Sequence, residues 1–505
     1  MDSPADLAFF NGTVLTLEDG PPPTALSVRD GLIHAVGEEA SVRSRTSAAT
    51  TIVDLDGRTL AHGFIDAHAH LIGIGVERRL RLDLADAASL DDVLQRLETA
   101  ARATEEDAWI LGRGWDESRW ALARYPTRAD LDRVTTQHHV ALYRVDGHMA
   151  CLNSKAMSAI DLPADPTLVD HDNGHVRETA LGALHGLRSA PPDEVTHALQ
   201  DEIAHANSLG ITGVHDTCGF DALATFAALR DLGRLNARVR VNVPHRELGR
   251  LSGPDVPVFD DLLSRGAIKI IADGSIGARN AAFTLPYTDE PTTRGHLNHA
   301  PTELAPIIRA ARDASAQIEV HAIGDAAIGA ALDALREAGI GPDDRARIEH
   351  CELPSDAHLD HMRTMGVVAS MQPNFLQWSG RDGLYERRLG PERDARTDPH
   401  RRVLDAGVHL AFGSDHMPLG PLSGIHRAVN APHPGQRISV TEALRAHTAG
   451  GAYAGFSDGS SGRLRPGYRA DLVVLDANPI ENARSIDRIV VERTYVGGRV
   501  VFERK

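Results

Sequence analysis

Short apolar runs alternate with longer stretches of helical periodicity through the middle of the chain. GFIDAHAHL (63–71), ITGVHDT (211–217), RVRVNVP (238–244), AIKIIADGS (267–275), IEVHAIG (318–324), RIEHCE (347–352), VVASMQP (367–373) and HLAFGSDH (409–416) each read as a strand. Strands alternating with helices are the signature of βαβ units and a parallel sheet, and eight of them predict an α/β fold built on a (β/α)8 barrel. The first interval, from about 76 to 205, is too long for one crossover helix and predicts an inserted subdomain. Outside this region the texture changes. LAFFNGTVLTLE, ALSVRDGLIHAVG and TIVDLDGRTL are short strands punctuated by Asn-Gly and Asp-Gly turns, and ADLVVLDANP and IVVERTYVGGRVVFERK repeat that texture near the C-terminus. The two ends are expected to pair into one β-sandwich. The predicted partition is 1–62 with 455–505 for the sandwich, 63–75 with 206–454 for the barrel, and 76–205 for an α/β insert.

Composition narrows the function classes. The 505 residues are 42% hydrophobic and 24% charged, and no apolar run approaches the roughly 20 residues a membrane helix needs. The N-terminal stretch MDSPADLAFFNGTVLTLEDG carries acids where a signal peptide needs basic residues, so a cytoplasmic location is expected. Cys151, Cys218 and Cys351 lie far apart without CxxC spacing, which predicts reduced, buried thiols. A formal charge of -17 without a basic run argues against nucleic acid as a partner. Among 53 basic residues only Lys155, Lys269 and Lys505 are lysine.

Candidate chemistry gathers at strand ends. His68 and His70 are two apart on a strand, so they share a face and are able to bind one metal ion. His321, His350 and Asp415 stand at or near the C-terminal ends of three other strands, on the rim where barrel enzymes place their functional groups. Taken singly, each is equally a hydrogen-bonded core histidine or a helix cap. Together on one rim they are best explained by a divalent cation. Lys269 lies in the fourth strand of a chain that uses arginine almost everywhere else, which points to amine-specific chemistry or to pairing with Asp273.

GFIDAHAH, KIIADGSIGARNAAF, VHAIGD, RIEHCE, MQPNF and GSDHMPLGP, with GRGWDESRW, LDRV and RVDGHMACLNSKAM in the insert, resemble the amidohydrolase superfamily, specifically the amidohydrolase family 3 group often labelled YtcJ-like. The resemblance implies a distorted barrel, a sandwich from both termini, an insert next to the active-site mouth, and one or two divalent metal ions, usually zinc. It implies that His68 and His70 hold the more buried ion, that His321 and His350 hold the second, and that Lys269 bridges them as a carbamate. Asp415 would ligate the first ion and take the proton from the attacking water, so Asp415 and His350 are the catalytic candidates. Many relatives have proline where this chain has His62, a departure at a turn. The reaction implied is hydrolysis of a non-peptide carbon–nitrogen bond in a small molecule. An isomerase, a decarboxylase or a non-catalytic scaffold on the same barrel are the alternatives. Substrate contacts are expected from Trp115, Asp116, Asp146 and His148 in the insert and from Gln372, Asn374 and Trp378 after the seventh strand. A homodimer is the expected assembly.

Overall fold

The computed structural model describes residues 4–505 except 118–119, 123, 146–148, 167, 178–179, 185–191 and 254–255. The chain divides into two compact units, one of residues 1–71 and 200–505, the other of residues 72–199.

All eight expected barrel strands form: β1 (Phe64–Ala69), β2 (Ile211–Thr217), β3 (Arg238–Pro244), β4 (Leu263–Ile271), β5 (Ile318–Ala322), β6 (Arg347–His350), β7 (Val368–Met371) and β8 (Leu410–Phe412). They lie in sequence order, each parallel to the next. Every residue of β1 and β2 is buried, as strands enclosed on both faces must be, and this is why they read as apolar runs. The crossovers are unequal. The helix Asp325–Glu337 packs Ile328, Leu332 and Leu335 inward between β5 and β6. Between β3 and β4 the described residues form 3₁₀ turns over His245–Ser252 and no α-helix, so the barrel is distorted there.

Closure occurs between β8 and β1. The amides of Ser414 and Asp415 both donate to the carbonyl of His68, at 3.0 and 2.7 Å. Ser414 N–H also reaches Asp66 Oδ1 at 3.0 Å. Gly413 makes this approach possible, because a Cβ there would sit 2.5 Å from His68 N.

The sandwich takes strands from both ends of the chain. One sheet holds Leu7–Phe10, Ala25–Arg29, Leu32–Gly37 and Thr51–Asp54. The other holds Thr13–Leu15 and Thr59–His62 together with Leu472–Leu475, Val491–Val496 and Arg499–Glu503. Thr59–His62 pairs antiparallel with Leu472–Leu475, so neither terminus completes this sheet alone. Phe9, Leu26, Leu60, Leu472 and Tyr495 fill the space between the sheets. His62 has Nδ1 2.6 Å from the carbonyl of Gly63 and accepts at Nε2 from Gly462 N–H at 2.9 Å. It thereby ties the entry to β1 to the segment that leads into the C-terminal strands.

In the unit of residues 72–199 a six-stranded sheet runs in the order Val169–Asp170, His175–Arg177, Met149–Leu152, His139–Arg144, Trp109–Trp115, Arg81–Asp83. Trp115 and Trp120 belong to its core, with their indole N–H groups donating to the carbonyls of Leu142 and Ala87, both at 2.9 Å. Among the described residues no helix is long and apolar enough to cross a membrane.

Gly413→Ala should force β8 away from β1 and lower stability by about 1–3 kcal/mol. Denaturant unfolding checks this, and an unchanged midpoint would remove the glycine from the account of closure.

Candidate metal centre

His68 and His70 leave β1 on the same side, and ring nitrogens of both converge on one carboxylate oxygen. Asp415 Oδ1 lies 3.1 Å from His70 Nε2 and 3.4 Å from His68 Nε2. The other nitrogen of each ring is already committed. His68 Nδ1 lies 2.9 Å from Glu349 Oε2, and His70 Nδ1 lies 2.8 Å from the carbonyl of Thr217. A ring that donates from Nδ1 presents a lone pair at Nε2. Two imidazole lone pairs and a carboxylate oxygen then face one another, which is repulsive unless a proton or a cation stands between them. Without a cation, His68 takes the proton: burial and the Lys269 ammonium oppose its charge, but Glu349 and Asp415 push it up to about 9.

His321 repeats the pattern from β5, with Nε2 3.0 Å from the carbonyl of Gly274, which leaves Nδ1 as its lone-pair atom. His350 packs 4.4 Å from it, ring centroid to centroid, and has a buried Nδ1 without a hydrogen-bond partner. Burial, and then His321, hold His350 well below the ordinary histidine range, so it is a neutral imidazole. Lys269 projects from β4, buried, with an Nζ that has no hydrogen bond and lies 3.8 Å from Glu319 Oε1. His350 (φ 73°) and Asp415 (φ 59°) both adopt the left-handed backbone region. Such residues cost on the order of 1–3 kcal/mol each and persist only where the surrounding structure imposes them.

All six residues line one cavity of about 670 Å3, whose remaining walls include Thr217, Cys218, His245, Arg246, Ile271, Asn298 and His299. Imidazole, carboxylate and amine donors with orphaned atoms facing a common space fit a divalent cation. The thiol is not part of that set: burial, and then the Asp216 carboxylate, push Cys218 well above the ordinary thiol range.

A sequence model of the amidohydrolase family matches residues 51–502. The chain belongs to the amidohydrolase family. This amidohydrolase is 30% identical to YtcJ of Bacillus subtilis over 97% of each chain. It is 26% identical to the N-substituted formamide deformylase of Arthrobacter pascens, over 99% of this chain and 98% of that one. Its fold matches the crystal structure of an uncharacterized metal-dependent hydrolase from Pyrococcus furiosus with a TM-score of 0.81 at 30% identity, covering 94% of this chain and 99% of that one.

The other sequence candidates that the structure describes are not among the residues lining this cavity. Gln372 is buried behind the rim, 3.4 Å from the carbonyl of Ser370. Asn374 donates to the carbonyl of Ser414 at 3.0 Å and so braces the residue before Asp415. Trp378 packs on Phe375 and Tyr385 at 5.0 and 5.9 Å. Trp115 is enclosed in the core of residues 72–199, Asp116 lies 3.8 Å from Arg144, and Asp146 and His148 fall outside the described residues.

Beneath the donors runs a layer of buried charge that sequence reasoning did not single out. Arg347 is fully buried, donates to Glu349 Oε1 at 2.7 Å and to Ser370 Oγ at 3.0 Å, contacts the carbonyl of Ala67, and has Nη1 3.0 Å from His215 Nδ1. Glu319 accepts from Thr217 Oγ1 and Asn242 Nδ2 at 3.0 and 2.9 Å. The one available signal was the period-two spacing of Arg347 and Glu349 in RIEHCE. Glu349 fixes the His68 ring, so Glu349→Gln should weaken metal affinity about 10- to 100-fold, measured by competition against a chelator. Wild-type affinity in a variant that melts normally would show that the ring is oriented by something else.

Proposed function

We propose that this amidohydrolase cleaves a carbon–nitrogen bond, other than a peptide bond, in a small molecule, with Asp415 moving the proton. The observation that carries this reading is the position of the Asp415 carboxylate. It touches both histidines of β1 and is 23% exposed, whereas the supporting acids Glu319 and Glu349 have no exposure at all. It is therefore the carboxylate that a substrate in the cavity meets, and about 670 Å3 suits a ligand of small-molecule size.

The ion that His68, His70, His321, His350, Lys269 and Asp415 would hold, zinc by the preference of imidazole-rich donor sets, supplies a Lewis acid for the scissile carbonyl and lowers the pKa of water towards about 7. Asp415 accepts the proton from the attacking water and returns it to the leaving nitrogen, which departs as a neutral amine. Burial raises the affinity of this carboxylate for protons, but the neighbouring His68 and His70 rings outweigh it and hold Asp415 well below the usual carboxylate range, ionised and ready to act as a base. His350, neutral and stacked on Phe375 at 5.9 Å, offers a ring nitrogen as a ligand. Lys269 would offer an anionic oxygen ligand once its amine adds carbon dioxide, losing a proton and becoming a carbamate. Its buried Nζ, with no hydrogen bond to satisfy it as an ammonium, supports that reading.

Asp415→Asn should keep close to wild-type metal content by elemental analysis while kcat falls about 10²- to 10⁴-fold. Normal turnover in that variant would move the proton shuttle elsewhere. Likeness to the formamide deformylase makes N-formyl amides the first substrates to screen, followed by N-acyl and cyclic amides, with released amine as the readout. Chelation should abolish amine release and added zinc should restore it. Full activity in metal-free protein would overturn the mechanism.

A further inference from the structure

The end of the barrel opposite the metal centre holds a cleft that the proposed reaction does not use. It measures about 520 Å3, and its lining includes Arg240, Arg265, Arg312, Gln317 and Phe456 together with the acids Asp343 and Asp344. Arg240 and Arg265 are the third residues of β3 and β4, which places them towards the strand starts, away from the rim that carries the histidines.

Among the described residues the three arginines form no ion pair with a carboxylate. Arg240 donates to Gln317 Oε1 at 3.1 Å, Arg265 to the carbonyl of Ala314 at 3.2 Å, and Arg312 to the carbonyl of Ala338 at 2.9 Å, all neutral acceptors. Among the described residues no carboxylate oxygen lies within 4.0 Å of any of these guanidiniums. The Nε atoms of Arg240 and Arg265 are buried without a hydrogen-bond partner. Asp344 spends one oxygen on the amide of Gly341, at 2.8 Å, and neither it nor Asp343 reaches an arginine. This is unusual in a chain with 70 acidic and 53 basic residues, whose other deeply placed arginines do find partners, Arg347 on Glu349 and Arg238 on Asp471. The cations also oppose one another: burial, and then Arg347, push Arg240 down to about 10, with the more distant Glu319 carboxylate opposing that shift and Arg265 adding to it.

Phe456 is a second, independent oddity at the same place. The residue is 46% exposed, its ring lies 4.8 Å from the guanidinium of Arg345, which pairs with Asp458, and 5.8 Å from that of Arg240, and its backbone has φ 58°, a conformation that bulky side chains rarely adopt. A flat apolar surface beside unneutralised guanidiniums is suited to a ligand with an anionic head and a ring.

We propose that this cleft binds a phosphate group, free or carried on a small ring-bearing molecule, through Arg240, Arg265 and Arg312, with Phe456 against the remainder of the ligand. Guanidinium forks match the oxygen spacing of a phosphate, and a phosphate ester carries a charge of about -1.5 to -2 at neutral pH, enough to offset the crowded cations. The direct test is calorimetric titration of the metal-loaded, full-length protein with inorganic phosphate and with phenyl phosphate at constant ionic strength. Saturable binding is expected, at least about tenfold weaker in Arg265→Gln and in Arg312→Gln, and unaltered in His70→Ala. Arg312 is exposed, so its variant reports on binding without disturbing the core. Tighter binding of phenyl phosphate that Phe456→Ser abolishes identifies the ester, and equal affinities identify free phosphate. Wild-type affinity in both arginine variants, loss of binding in His70→Ala, or no saturable binding would overturn the site.

Discussion

The meeting of β8 with β1 is the contact on which the rest of the structure depends. A parallel sheet of eight strands has two edges, and leaving their backbone groups unpaired would be costly. Here the carbonyl of His68 receives two amides from the other edge, those of Ser414 and Asp415. The same two bonds that close the barrel bring the carboxylate of Asp415 onto the imidazoles of His68 and His70. Closure and assembly of the candidate site are therefore one event, and Gly413 is small because both require it. Asp66, buried and pushed up to about 6 by that burial despite hydrogen bonds from Ser414 and His68, braces the seam from within.

The interior beneath the seam is ionic where a barrel core is ordinarily aliphatic. Arg347, Glu349 and Glu319 are all fully buried, which is tolerable only because each is hydrogen-bonded to charged or polar partners on several strands. This layer does more than balance charge. By standing 2.9 Å from one ring nitrogen as an ion-pair partner, Glu349 sets which nitrogen of His68 faces the cavity, while the carbonyls of Thr217 and Gly274 do the same for His70 and His321. Ring orientation is thus built into the strands before any ion arrives, which lowers the entropic cost of binding one.

Much of this was legible in the sequence, for physical reasons that differ by region. The barrel strands announce themselves because enclosure on both faces demands continuous apolar residues, and His68, His70, His321, His350 and Asp415 stand out because they interrupt those runs at one end. The charged layer was hidden because its pairs join strands far apart in the chain, such as Arg347 with His215, and no local pattern encodes such distances. Trp115 illustrates another limit. An aromatic residue among polar ones reads equally as a ligand wall or as a core residue, and only its full burial with the indole N–H on Leu142 separates the two. The compact units divide at 72 and 199, where 76 and 205 were expected, because the helices Leu71–Leu80 and Pro192–Ser208 run through both junctions without a turn to mark them.

The scarcity of lysine has a practical corollary. Lys505 ends the chain and Lys269 is enclosed in the barrel, so Lys155, in the short helix Ser154–Ala159 and paired with Asp107 at 2.7 Å, is the one remaining internal lysine. A protease that cuts only after lysine would meet a folded molecule with a single internal point of attack, inside residues 72–199. Its rate of nicking would then record the local opening of that unit while the barrel stays closed, a built-in gauge of regional stability that needs no label and no mutation.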